Sequence, residues 1–585
     1  MTAAKSLPMQ RITLDNFRVF GTPATFDLAP VTVLTGKNNS GKSSLLKAFL
    51  VLADYLEQED QTVLRLDGRR ATKHKITSYD ALHNWDADYA QRVAFSFKNE
   101  LISFDFTFDE HEDSTLASLA EFKATLLATN ECLKFTRVER GQLLDSPLSE
   151  IEEIDFALDS KYQNRGPSYK LTVHQDFINY FGTPGIEWTP DFEDKEIAKQ
   201  RESLKAELSA IEDELANAAS KKLQPLGEKL QYQLLITKRQ EITKRLEQVE
   251  QMRAALKKRS TTAPIESEIT AGEKNYSGFT ISSLVTQALF SYEEQNKKGA
   301  RITKPNLTGR QVLFRLQQAL DIQMRFAPFH LGANRTYQVP IIFNQYQGSE
   351  LATIVAPFLE KGFFSRGRAE MFLSHWLPLF EIGDIVSVEK VEGVAFKVIV
   401  TQGKREINLV ELGYGAGQVL TILLQIAAIL QQREARRFVD RNLVYGPILV
   451  LIEEPEANLH PRLQSLLAQL FMEPEPYLSS TRRPTTTLRR TRINQALPFQ
   501  FIIETHSEYL IRKLQLLVAQ GSQPSENVLI HYMNQPSSRR ITILTDGKLS
   551  EMFGPGFFDE ADDSAMQLFR AQKKAARIQS PSSQL

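Results

Sequence analysis

Residues 36 to 43 read Gly-Lys-Asn-Asn-Ser-Gly-Lys-Ser, the spacing G-x-x-x-x-G-K-S. A loop of this form grips phosphate. Its glycines let backbone N–H groups turn inward, its lysine reaches the β and γ phosphates, and the next hydroxyl binds Mg²⁺. Gly36, Asn38, Asn39, Ser40, Gly41, Lys42, Ser43 and Ser44 are the candidate phosphate-binding residues, and Ser43 is a candidate metal ligand. The bland alternative is a glycine-rich turn with no ligand.

Three further stretches could act on that phosphate. Glu453 and Glu454 stand where the apolar run ILVLI ends. Two adjacent carboxylates suit nucleotide hydrolysis: Glu453 for the Mg²⁺ shell, Glu454 to orient and deprotonate water. Taken alone, the pair reads equally well as a solvated strand end. Leu412 to Gln418, LGYGAGQ, precedes a long helical pattern, and amides exposed at a helix N-terminus form a second anion site. A plain helix start is the alternative. His506 in ETHSE follows an apolar strand and could touch a γ-phosphate, although a lone histidine is more often structural.

These residues need elements to hold them. VTVLTG, at 31–36, is a β-branched run suited to a buried parallel strand. Leu45, Phe49 and Leu52 then recur at helical spacing, so the loop lies between strand and helix. QRITLDNFRVF alternates like a strand. Residues of about 90 to 180 mix strands with an expected helix near 116–129. From about 192 the composition turns to Lys, Glu, Gln, Ala and Leu. Leu204, Leu208, Ile211 and Leu215 space at 4, 3 and 4, and Ile242, Leu246, Val249 and Leu256 resume the pattern after Pro225 and Gly227. That predicts an antiparallel helical hairpin with arms of roughly 45 Å for about 30 residues each. Whether it is a lever, a docking arm or mere packing stays open. Residues 473 to 499 are rich in Pro, Thr and Arg and read as a loop.

The predicted units are 1–190 (first part of the head with a β-rich elaboration), 191–262 (hairpin), 263–400 (an α/β connection), 401–570 (second part of the head) and 571–585 (a disordered tail). A chain of 585 residues supports roughly three to four such units. Its formal net charge of −1 gives no global field toward DNA or membrane, so any such contact uses a local patch. The single cysteine, Cys132, excludes a disulfide framework or a Cys-based zinc site within one chain. The N-terminal stretch has no apolar core of the secretory kind, and the apolar run Val419 to Leu430 is too short to span a bilayer. The expectation is a cytoplasmic protein that does not enter a membrane.

Together the four motifs resemble the ABC-type ATPase head of the SMC, RecF and OLD-like families. LDNFRVF is similar to their opening strand, which brings Phe17 and Arg18 near the nucleotide. LGYGAGQVL stands in place of the signature, with Gly415 where serine is usual, so backbone amides from Gly415 to Gly417, beside Gln418, would meet the γ-phosphate. LIEEPEANLHP resembles the Walker B and D-loop form of the OLD-like branch, with Asn458 and His460 in the D-loop. ETHSEYLIRKL resembles its histidine switch. HLGANR, at 330–335, resembles a Gly-Pro-x-Arg element with Ala333 in place of proline. The Q-loop is expected within Gly68 to Asn84. GFFDE, at 556–560, resembles the tail of bacterial anti-phage ATPases of the Septu PtuA kind.

The resemblance implies an α/β head with a mixed sheet, interrupted by the hairpin, that binds ATP and Mg²⁺ and hydrolyses ATP. It also implies a homodimer or larger assembly, the signature of one head closing the ATP site of another. OLD-like nucleases carry a further domain after the switch histidine. No Glu plus Asp-x-Asp pattern fit for two metals follows His506, and the acidic run Asp559 to Asp563 reads as a solvated loop, so no nuclease is expected here. Two functions remain. One is the sensor or switch subunit of a prokaryotic anti-phage system, controlling a separate nuclease or toxin. The other is a RecF-like or SMC-like ATPase that clamps DNA, using Arg482, Arg483, Arg489, Arg490 and Arg492. A transporter ATPase suits the NF motif and the coil insertion poorly.

Overall fold

The computed structural model describes residues 8–138 (69 and 87–90 apart), 168–173, 265–270, 280–286, 310–333, 342–343, 350–362, 367–391, 395–439, 447–476, 499–534, 537–554 and 556–579. Phe177, Leu208, Ile211, Glu212, Arg239, Thr243 and Leu289 are described singly. Most of the expected hairpin, the arginine-rich stretch 477–498, Arg335 and residues 580–585 lie outside these. Of the hairpin, Arg239 donates to Glu212 at 3.1 Å.

The described strands run in chain order: β1 (Arg11–Asp15), β2 (Ala24–Asp27), β3 (Val31–Gly36), β4 (Val63–Arg65), β5 (Val93–Lys98), β6 (Ile102–Glu110), β7 (Leu116–Leu126), β8 (Cys132–Val138), β9 (Ser168–Val173) and β10 (Ile265–Thr270). They continue with β11 (Phe329–Leu331), β12 (Ile342–Phe343), β13 (Ile385–Val391), β14 (Ala395–Gln402), β15 (Arg405–Asn408), β16 (Ile448–Glu453), β17 (Phe499–Glu504), β18 (Val528–Asn534) and β19 (Ser537–Thr542).

Among the described residues they form three sheets. The first is antiparallel, ordered β10-β9-β8-β7-β6-β5-β1-β2, with β4 on β7. Its strands alternate between inward and outward residues, as in β6, whose Phe104, Phe106 and Phe108 all point inward. The second is ordered β11-β16-β17-β3-β18-β19, parallel except for the last pair. A small third sheet joins β12 to β15.

The period of two splits the second sheet between two cores. Leu34, Leu449, Leu451 and Ile502 face the antiparallel sheet and the helix Lys42–Glu57. Val33, Val450, Ile452 and Ile503 face the long helix Tyr414–Val439 and the helices Pro461–Met472 and Glu508–Ala519. Covered on both faces, these strands are mostly apolar, and β3 and β17 are buried at every position, their polar Thr32, Thr35, Gln500 and Glu504 included. Helix Lys42–Glu57, wedged between the sheets, is buried nearly all round from Lys42 to Tyr55.

The α/β fold, its mixed sheet and the strand–loop–helix setting are as the sequence predicts. Three local readings are corrected. Residues 116–126 form β7, not a helix: the Leu, Ala, Glu and Lys there favour helix locally, but pairing with β6 and β8 wins. The acidic run after Asp559 opens the helix Glu560–Gln579, where carboxylates complement the helix dipole, so it is not a loop. That helix continues past residue 571, where order was expected to end. The stretch Tyr414–Ala435 is, by length and composition, long and apolar enough to cross a membrane, and its most apolar 18-residue window is 83% buried inside the protein. It is the core helix of the second sheet.

Candidate functional site

The carboxyl ends of β16, β17, β3 and β18 lie side by side. Glu453 pairs in register with Glu504, Glu504 with Leu34, and Met533 with Gly36. Ligands of open α/β sheets bind beyond such ends. Gly36 closes β3 at φ +129°, and a Cβ there would sit 2.1 Å from the Met533 carbonyl oxygen, so only glycine fits. The loop then turns through Asn39 at φ 60° and Gly41 at φ 99°. A Cβ on Gly41 would come within 2.8 Å of Val19.

Beyond Gly41 the helix begins, and its first amides face the loop. Lys42 is buried, and its Nζ donates to the carbonyls of Gly36 (3.1 Å) and Lys37 (2.8 Å). Burial lowers its pKa, opposed by the charges of Glu504 and Glu454. Ser40 Oγ is buried with no hydrogen-bond partner. An orphaned hydroxyl and an ammonium held only by loop carbonyls fit an anionic ligand, since phosphate oxygens would satisfy both.

Around the loop is a cleft of about 270 Å³. Its walls carry Arg18, Asn38, Asn39, Ser40, Gly41, Lys42, Ser43, Ser44, Glu454 and His506, all expected from sequence. Arg18 comes from a left-handed turn at φ 51° and donates to Ser44 Oγ (3.2 Å) and to the Ala81 carbonyl (3.1 Å). Phe17, beside it, is instead a core residue packed edge-on against Phe95 at 5.1 Å. Glu454 also sits at positive φ (43°), and its amide donates to the Glu504 carbonyl at 2.8 Å, which fixes the turn after β16.

Four cleft residues were missed: Glu504, Lys47, Trp85 and Val19. Glu504 is the most consequential. Ser43 Oγ donates to its carboxylate at 3.0 Å, placing it against the expected metal-ligand hydroxyl. Desolvation by burial pushes the Glu504 pKa up to about 7, with Glu453 and Glu454 adding to the rise and Ser43 and Lys42 opposing it. Its strand-end register with Glu453 was the available signal. Trp85 is 66% exposed, with the Arg18 guanidinium 5.8 Å from its ring centre. It directly follows Gly68 to Asn84, the stretch where a Q-loop was expected, and that stretch contains no glutamine.

Glu453 does not line the cleft; its carboxylate accepts from His330 Nε2 at 3.0 Å. His506 lines the cleft, and its pKa is lowered, first by desolvation and then by the Lys42 charge, with Glu454 opposing. Its backbone amide donates to Glu456 Oε1 at 2.7 Å, tying the turn after β16 to the turn after β17. Burial raises the pKa of Glu456.

Gly415, Gly417, Gln418 and Asn458 form a separate patch. A Cβ on Gly415 would lie 2.3 Å from the Asn458 carbonyl oxygen, so the start of the long helix packs directly on the D-loop. Asn458 is left-handed at φ 61°, and Gln418 is buried. None of the four lines the cleft. A larger groove, about 650 Å³ between β2, β18 and β19, holds the Arg540–Asp27 ion pair and none of the motif residues.

A family model described as AAA ATPase domain matches residues 9–511, which spans the loop, the acidic pair and His506. The chain belongs to this AAA ATPase domain family. No curated protein matches it. Among solved structures, the Smc head domain of Pyrococcus furiosus, bound to the C-terminal domain of ScpA, is similar at 11% identity, covering 97% of this chain and 99% of that one, with a TM-score of 0.31. The SMC head domain of Thermotoga maritima is similar at 8% identity, 92% and 100% coverage and a TM-score of 0.28. The recombination mediator RecF is similar at 11% identity, 92% and 100% coverage and a TM-score of 0.27. At TM-scores of this size the likeness carries no conclusion about this chain.

Proposed function

We propose that this ATPase-family chain hydrolyses ATP in the cleft and uses the cycle as a switch. The observation that carries the reading is the convergence of Lys42, Ser43, Glu454, Glu504 and His506, from three distant parts of the chain, around one phosphate-sized space. Lys42 and the loop amides bind the β and γ phosphates. Ser43 and Glu504 hold Mg²⁺, with Glu453 behind them, and bound Mg²⁺ would neutralise charge on the phosphates. Glu454, exposed at the cleft edge, takes the proton from water. His506 donates a hydrogen bond to the γ-phosphate. Trp85 stacks on the base.

The patch at Gly415, Gly417, Gln418 and Asn458 completes the cleft of a second copy. Its separation from the cleft within one chain supports that reading. ATP then holds two heads together and hydrolysis releases them, a population shift driven by ligand bound in the closed state. For biological role we favour a sensor subunit of an anti-phage system that controls a separate effector. The motif resemblance of ETHSE and GFFDE supports it. DNA clamping by the arginines of 482–492 is the alternative.

The test is steady-state ATP hydrolysis with and without duplex DNA, using Glu454→Gln as the blank. The variant should bind ATP and turn it over about 100-fold or more slowly. Equal turnover would move the base elsewhere. Stimulation by DNA would favour clamping, and indifference to DNA a protein-triggered sensor.

A further inference from the structure

The C-terminal helix Glu560–Gln579 is about 30 Å long and stands clear of both cores. Every side chain described from Asp563 to Lys573 is exposed. Among them are Met566 at 55%, Leu568 at 59% and Phe569 at 59%. Met566 and Phe569, three residues apart, share one face of this solvent-facing helix as an exposed apolar pair, with Leu568 about 100° round from Phe569.

The charges around that patch are ordered. Asp559, Glu560 and Asp563 precede it, and Arg570 and Lys573 follow it. The sequence adds Asp562 to the first group and Lys574 and Arg577 to the second. Asp563, Met566, Phe569 and Lys573 recur at spacings of 3, 3 and 4, so acid, apolar pair and base lie along one stripe. The helix dipole accounts for acids at one end and bases at the other. It does not account for exposed Met566, Leu568 and Phe569 between them.

A stripe that is acidic at one end, apolar in the middle and basic at the other is complementary to itself turned end for end. The geometry points to a second copy of this chain as its occupant, docked as an antiparallel helix pair. A twofold axis between Gln567 and Leu568 sets Met566 of one copy against Phe569 of the other. The same axis brings the Asp563 turn of each copy alongside the Lys573 turn of the other. A twofold contact of this kind is isologous and closed, so it makes dimers and not filaments. A parallel pair would oppose like charges at both ends. This contact involves no residue of the cleft or of the Gly415 patch, so it joins two chains without nucleotide.

The experiment is sedimentation equilibrium of the full chain, stripped of nucleotide, at protein concentrations up to about 100 μM. The wild type should be a dimer. Met566→Glu with Phe569→Glu should weaken it about 30-fold or more. Asp563→Lys and Lys573→Asp should each weaken it several-fold, and the two together should restore it, because the swapped charges again face opposites. Rescue by the charge swap is something neither misfolding nor docking of another protein reproduces. A wild type that stays monomeric, a dimer indifferent to Met566 and Phe569, or a swap without rescue would each overturn the proposal.

Discussion

The two large sheets are built from similar strands and carry different duties. The antiparallel sheet is rich in phenylalanine: Phe97 stacks on Phe106 at 5.9 Å, and Phe104 on Phe122 at 6.2 Å. Its strands alternate, β5 to β8 follow one another as antiparallel neighbours, and none of its strand residues lines the cleft. The parallel strands β16, β17 and β3 are buried on both faces and end together, in Glu453, Glu504 and Gly36. Parallel pairing aligns the carboxyl ends of strands that are remote in sequence, whereas a meander alternates its ends. Stability is spread across the first sheet, and chemistry is concentrated at one edge of the second.

Substitutions can break that division, and they rank by size. Lys42→Ala should abolish hydrolysis while leaving the fold intact; near-wild-type turnover would sever the loop from the chemistry. Phe106→Ala should do the reverse. It removes a fully buried ring and should cost about 3–5 kcal/mol in chemical denaturation, with kcat unchanged on the folded fraction. A large loss of kcat there would show that the two sheets are coupled.

Glu504 belongs to both ledgers, and pH separates them. Its carboxyl titrates near 7 in the folded protein against 4.5 as the ordinary value. A raised pKa means that the folded state holds the proton more tightly. The nucleotide-free protein should therefore lose stability as pH climbs from about 4.5 to about 7, and level off above. Glu504→Gln should flatten that slope in thermal melts. Mg²⁺-dependent ATP binding should move the other way, strengthening as pH rises through 7, because the ion needs the carboxylate. The smallest effect is expected at Trp85→Ala: about 5- to 20-fold weaker ATP binding, with loss of the nucleotide-induced fluorescence change and little change in binding of inorganic triphosphate.

The sequence shows the loop plainly because its chemistry fixes both residue type and spacing. Glu454 and His506 were legible for a related reason, each standing where an apolar run stops. Glu504 was not. It is the first letter of ETHSE, read only as the frame of His506, and its meaning depends on β17 lying next to β3, a pairing across more than 450 residues. β7 was misread because Leu, Ala, Glu and Lys weigh toward helix until neighbouring strands are supplied. Trp85 looked like any loop aromatic until folding set it beside Arg18.

The pairing of β3 has a consequence for how the molecule is made. Both neighbours of the phosphate-loop strand, β17 and β18, begin at or after Phe499. A ribosome adding about 5–20 residues per second exposes the loop early and its supports last. During that interval the antiparallel sheet can close on itself, since β5 to β8 are consecutive hairpins. The loop strand has nothing to pair with. A cleft complete with Glu504 and His506, on a loop strand paired on both sides, therefore forms only in a chain synthesised past β18.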